Sequence, residues 1–174
     1  ALLDSLDGAG IPDVTDVWVH QGGSGRTFVV LAIKQRYFGH STQVGVVASQ
    51  VNPVGYVGRY VVVVDDDIDP TDNGQVLWAM ATRARPSASI DILRETWSTY
   101  LDPSQNPPEE RPFGSKCLIN ACMEFKHIKD FSPRTKLSKA AYENVVSRWA
   151  EYGMDGTPPR MTVFEDAAAF KEKI

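Results

Sequence analysis

Residues Val57 to Arg83 read VGRYVVVVDDDIDPTDNGQVLWAMATR. Four consecutive valines, Val61 to Val64, run directly into three aspartates, Asp65 to Asp67. The run Tyr60-Val61-Val62-Val63-Val64 has no polar face, so it predicts a strand covered on both sides. Behind the acids, Thr71 or Asp72 is a natural N-cap. A helix then runs to about Arg83, with Val76, Leu77 and Met80 at the three-and-four spacing of one apolar face. A buried strand feeding a helix predicts an α/β fold. We expect a layered sandwich with a mixed β-sheet flanked by helices, its central strand about Tyr60–Val64.

The flanking sequence fits that centre. Ala1 to Leu6 reads as the end of a helix stopped by Gly8 and Gly10. Val14 to His20 alternates apolar and polar residues, Gln21-Gly22-Gly23-Ser24-Gly25 is a turn, and Thr27 to Lys34 is a second strand, so the pair predicts a hairpin. Gly39 to Gln50 reads as a helix rich in small residues, Ile90 to Leu93 as a short strand, and Ser115 to Met123 as another buried strand. Pro103, Pro107, Pro108 and Pro112 make Asp102 to Pro112 a loop. Ser138 to Tyr152 predicts the strongest helix, with Tyr142, Val145, Val146, Trp149 and Tyr152 in one stripe and Gly153 closing it. Thr157-Pro158-Pro159 reads as a linker and Val163 to Ile174 as a terminal helix. The expected organisation is one α/β domain over 1–155 and, over 156–174, a linker and helix that dock on another domain or subunit. The start Ala1-Leu2-Leu3, in mid-helix style and without methionine, suggests a piece of a longer polypeptide.

Composition narrows the function classes. The 174 residues suffice for a hydrophobic core. Net charge is -4 with no basic run, which argues against nucleic acid and anionic membrane as partners. No apolar stretch approaches the ~20 residues that span a bilayer, and the amino terminus lacks the pattern of a signal peptide. Cys117 and Cys122 fit neither a zinc pattern nor a disulfide scaffold, so a reducing, cytoplasmic setting is expected.

The chemical motifs are few. Asp65, Asp66, Asp67 and Asp69 at a strand end have the oxygen ligands of a magnesium, calcium or phosphate-receiver site. They equally suit a turn that caps the next helix, and that structural reading is the favoured one. The Gly22–Gly25 turn lacks the Gly-Lys-Ser/Thr ending of a P-loop and does not lead into a helix. His20, His40 and His127 share no metal-ligand spacing, so each reads as a hydrogen-bonded structural residue. No Gly-x-Ser-x-Gly elbow is present. In Arg111-Pro112-Phe113-Gly114-Ser115-Lys116, a glycine, a hydroxyl and a lysine stand at the mouth of an apolar strand. Glycine lets backbone N–H groups approach an anion and lysine supplies a point charge. Phosphate binding would explain the set, and an exposed surface lysine is the alternative.

Together, GIPDVTDVWVHQGGSGRTFVVLAIKQRYFGHSTQVG (Gly10 to Gly45), GRYVVVVDDDIDPTDNGQVLWAMATR (Gly58 to Arg83), LDPS (Leu101 to Ser104), GSKCLINAC (Gly114 to Cys122) and RWAEYG (Arg148 to Gly153) occur in an order that resembles the carboxy-terminal domain of UbiD-like decarboxylases. The resemblance implies enzymes that use prenylated FMN to remove carbon dioxide reversibly from aromatic or unsaturated carboxylic acids. It implies that the catalytic Glu-Arg-Glu set lies in a preceding flavin-binding domain. The ligands of a divalent metal (Mn or Mg) and potassium lie mainly there too. No catalytic residue and no metal ligand is therefore carried over to this chain, which alone is expected to be inactive. One cofactor contact is implied: Lys116, beside Gly114 and Ser115, approaches the flavin phosphate. Ile119 and Asn120, just after the lysine, resemble positions that face the substrate. Many relatives read Asp-Ala-Thr where this chain has Asn120-Ala121-Cys122; an asparagine there suits a hydroxylated aromatic or heteroaromatic acid, and a buried asparagine satisfied within the fold is the equal alternative. The implied partners are a second copy in a homodimer or larger assembly, the flavin-binding domain of the same chain, and a flavin prenyltransferase that supplies the cofactor. Two rivals stand beside this reading: a free-standing assembly subunit of a multi-subunit carboxylase, and a metal- or phosphate-binding signalling domain using Asp65 to Asp69.

Overall fold

The valine run does lie at the centre. The computed structural model describes residues 1–102, 104, 109, 112–132, 134–161, 163 and 164. Five strands form one mixed sheet: β1 (Val14–Val19), β2 (Phe28–Ile33), β3 (Tyr60–Asp65), β4 (Ile90–Trp97) and β5 (Phe113–Ala121). Their order is β1-β2-β3-β5-β4. The three inner strands run parallel, and β1 and β4 flank them antiparallel. Val61 and Val63 sink into a core with Leu6 of α1 (Leu2–Gly8), Val44 and Ala48 of α2 (His40–Gln50) and Val54 of α3 (Val54–Val57). Val62 and Val64 sink into a second core with Val76 and Ala79 of α4 (Asn73–Arg83). Alternation along an extended chain puts successive side chains on opposite faces. A strand covered on both faces therefore needs an apolar residue at every position, and that need explains the unbroken valines.

Local signals place most elements within a residue or two. Gly39 starts α2 with φ of 88°, a left-handed conformation that suits glycine. Asp72 caps α4, its Oδ1 accepting from Gly74 N (2.9 Å) and Gln75 N (3.3 Å). Asp72→Ala should therefore cost about 1 kcal/mol, measured as a lower urea midpoint at unchanged slope. α5 (Pro86–Ser89) then leads into β4.

Three expectations need correction. β4 continues past Leu93 to Trp97, because a bulge between Leu93 and Thr96, with Glu95 at φ 55°, breaks the alternation by which a strand is recognised. The buried face of α4 carries Val76, Ala79 and Arg83 rather than Leu77, which is 61% exposed. The late helix, α6, spans only Lys139–Ser147 behind the Ser138 cap, and none of its residues is buried. Tyr142 within it donates to Pro159 O and Trp149 beyond it to Gly156 O, both at 3.0 Å, so these rings hold the following turns instead of a core.

Ala1–Ile128 and Lys129–Ile174 are two compact units. The sheet and α1 to α5 belong to the first and α6 to the second. Residue 156, where a linker was expected to begin, falls inside the second unit. The helix expected over 163–174 lies, from residue 165 on, outside the described residues, as does most of the proline-rich loop. Among the described residues no helix is long and apolar enough to cross a membrane.

Candidate functional site

Lys116 sits inside β5, opposite Leu93 of β4. Strand alternation turns it toward α3, where its Nζ donates to Val54 O (3.0 Å) and Gly55 O (2.7 Å). Glycine at position 55 lets α3 close against the end of α2: a Cβ there would stand 2.5 Å from Gln50 O. Lys116 is only 3% exposed, and among the described residues no carboxylate forms an ion pair with it. Burial pushes its ammonium down from the ordinary 10.5 to about 8. A lysine has three N–H donors, and two are spent here on carbonyls. A desolvated cation with no negative partner favours an anion beside it.

Gly114 and Ser115 belong to the same strand, Gly114 pairing with Thr96. They are extended, so they do not gather successive N–H groups around an anion as the expected cradle at the strand's mouth would. Lys116 is the residue of this segment whose setting suits a phosphate. Ile119 and Asn120 are neighbours on β5 and face opposite ways. Ile119 packs into the α4 core. Asn120 lies on the α2 side, its Nδ2 donating to Ser41 Oγ (2.8 Å) and its Oδ1 accepting from Cys122 N (3.1 Å). The structure does not bring the two side chains together.

The acidic cluster forms a polar knot at the carboxyl ends of the parallel strands. Asp65, 2% exposed, accepts from Gln35 Nε2 (2.6 Å), Arg83 Nη1 (3.0 Å) and Met123 N (2.7 Å). Asp67 accepts from Arg83 through both oxygens, at 2.9 and 2.7 Å. Asp69 Oδ1 holds the amide and hydroxyl of Thr71. Burial holds the Asp65 carboxyl above its ordinary value, although the Met123 amide, Gln35 and Arg83 each pull it down. Among the described residues no His, Cys, Asp and Glu group is arranged to hold a metal ion. Asp65 and Asp67 are committed to Arg83, which sequence reasoning missed. Its signal was available: Val76, Ala79 and Arg83 share the three-and-four spacing, so the arginine ends the buried stripe.

His40 is fully buried and satisfied, Nε2 lying 3.1 Å from Pro12 O and Nδ1 accepting from Arg36 N (3.3 Å). Burial pushes its imidazole down, in keeping with a structural role. His20 departs from that expectation: it is buried, and its Nε2 has no hydrogen-bond partner.

A family model for the 3-octaprenyl-4-hydroxybenzoate carboxy-lyase C-terminal domain matches residues 1–121. The chain belongs to the UbiD carboxy-terminal domain family. Solved UbiD-class structures share its fold. The enzyme HmfF of Pelotomaculum thermopropionicum, in complex with FMN, is 27% identical, with a TM-score of 0.68 over 78% of this chain and 29% of that one. Vanillic acid decarboxylase of Sedimentibacter hydroxybenzoicus, in open form, is 25% identical, with a TM-score of 0.65 over 87% of this chain and 32% of that one. An uncharacterized protein of Aeropyrum pernix is 26% identical over 148 residues, 83% of this chain and 30% of its own length. This UbiD domain thus spans about three tenths of the length of the relatives it matches.

Proposed function

We propose that this UbiD domain is the carboxy-terminal part of a prenylated-FMN-dependent decarboxylase of aromatic or unsaturated carboxylic acids. Its proposed roles are to contact the cofactor phosphate and to join subunits. The observation that carries the reading is Lys116: a buried ammonium, anchored by two carbonyls and with no carboxylate partner among the described residues, on a domain 27% identical, over 78% of its length, to the FMN-bound HmfF. When bound, the modified flavin supplies the electron sink for the carbanion left by decarboxylation. This chain's contribution is electrostatic and positional. Lys116, presented by the strand residues Gly114 and Ser115, neutralises part of the phosphate charge, and α3 fixes where the ammonium can stand. The general acid, the divalent metal and potassium are assigned to the flavin-binding domain, and the prenyltransferase is assigned as supplier of the cofactor. Without that domain the chain has no activity of its own.

The surface around α3 supports docking by that domain. Tyr56 of α3 stands 6.1 Å from Trp97, ring centre to ring centre, and Trp97 stands 6.0 Å from Phe113. All three are about half exposed. A contiguous exposed aromatic row marks an interaction surface. At the sheet edge, β4 exposes Ile90 and Ile92, which suits contact with a second copy. A cytoplasmic setting accords with the unpaired Cys117 and Cys122.

Lys116→Met in the full-length enzyme tests the central role, because methionine keeps the volume and removes the charge. One charge-assisted contact is worth about 1.5–3 kcal/mol, so FMN should bind roughly tenfold to a hundredfold more weakly. Equilibrium dialysis of FMN reads this directly, with circular dichroism confirming the fold. Unchanged FMN affinity would remove Lys116 from the cofactor site.

A further inference from the structure

Lys116 can hold its place in either protonation state. Its Nζ donates to Val54 O and Gly55 O, and among the described residues no third acceptor meets it. An ammonium has three N–H groups, so the two carbonyls leave one donor over. A neutral amine has two N–H groups and one lone pair. It keeps both carbonyls and turns the lone pair to where the third donor stood. α3 thus fixes the nitrogen, and the proton decides what the nitrogen offers. The ammonium presents a charge-assisted donor that attracts a phosphate oxygen. The amine presents a lone pair that repels it.

Nothing charged around the lysine fixes that proton. In α3 the one titratable side chain is Tyr56. α2 carries only His40, at the end away from Gln50. On β4, Leu93 stands opposite the lysine, and Asp91 and Glu95, two residues to either side of Leu93, are exposed. Arg59, just before β3, is paired with Asp102. None of these carboxylates forms an ion pair with Lys116, and burial pushes its ammonium down to about 8. We propose that Lys116 couples cofactor retention to a proton: the flavin phosphate is gripped when Nζ carries its third proton and loosened when Nζ gives that proton to solvent. This rests on the proposed contact between Lys116 and the phosphate and adds its regulation. Linkage makes the coupling reciprocal, so the phosphate also draws the proton back onto Nζ.

The test compares FMN with riboflavin on the full-length enzyme by equilibrium dialysis from pH 7 to 10, with circular dichroism confirming the fold at each pH. Riboflavin has the same ring and no phosphate, so the ratio of the two affinities cancels ionisation of the ring. The phosphate keeps its charge throughout, its second pKa being about 6. The ratio should hold near pH 7 and fall by roughly tenfold or more by pH 10, toward the low value of Lys116→Met. In Lys116→Met it should not vary with pH. Calorimetry in two buffers of different ionisation enthalpy should show uptake of roughly half a proton or more per FMN at pH 8.5, and little at pH 7. A loss in Lys116→Met beside a ratio flat with pH in the parent would overturn the coupling and leave the phosphate contact standing. An unchanged FMN affinity in Lys116→Met would remove the contact and the coupling together. A fall with pH that persists in Lys116→Met would assign the proton to another group and also overturn the proposal.

Discussion

Arg83→Met should lower the unfolding free energy by about 3–5 kcal/mol, the range for removing one partner of a buried ion pair. Both carboxylates on the guanidinium lose their cation, and Asp65 is 2% exposed, so water cannot replace what is removed. The ring of Trp78, 5.1 Å from the guanidinium carbon, loses its stacking partner as well. Domain stabilities of about 5–15 kcal/mol make this a large share of the total. Urea titration followed by circular dichroism should show a lower midpoint. The double variant Asp65→Asn, Arg83→Met should recover part of the loss, because it removes a buried charge along with its partner. A midpoint within error of the parent for Arg83→Met alone would show that the knot does not hold the carboxyl edge of the sheet together.

The second large effect is the dependence of stability on pH set by Lys116. Folded, its ammonium loses its proton near 8; unfolded, near the ordinary 10.5. Between those values the unfolded chain binds more protons, so stability rises with pH. The benefit is complete above 10.5 and lost as pH falls through about 8. From about pH 7.5 to 10 the gain should be roughly 2–3 kcal/mol. Cys122 works in the opposite direction, because burial pushes its thiol well above the ordinary value and the unfolded thiol ionises first. The measurement is therefore a difference: unfolding free energies of the parent chain and Lys116→Met at both pH values. The difference should move in favour of the parent by the stated amount. A difference independent of pH would mean that the ammonium is well solvated in the fold, and the case for a counter-anion would weaken with it.

Several outcomes were legible before any coordinates. The strand at Tyr60–Val64, the Asp72 cap and the Gly39 start of α2 each follow from one or two residue types with a strong local preference. The scaffolding role of the acidic run was also favoured, because turn and cap positions select aspartate. Other features were hidden for definite reasons. The bulge at Glu95 erased the alternation that marks β4. The apolar stripe of Ser138 to Tyr152 imitates a buried helix, yet its rings serve the turns after Ser147. Lys116 was expected at the mouth of an apolar strand; pairing with β4 extends that strand back to Phe113 and sets the lysine inside it.

By itself the chain determined its layered α/β architecture, because a run with no polar face is stable only when covered on both sides. It also determined family membership, through long motifs kept in order. Only tertiary structure decided who partners whom. Arg83 reaches Asp65 and Asp67 across 18 and 16 residues, Lys116 reaches Val54 across 62, and His20 is left buried without a partner. Periodicity reports which face a residue occupies. The charge or carbonyl waiting on that face comes from a distant segment, and the sheet order alone brings it there.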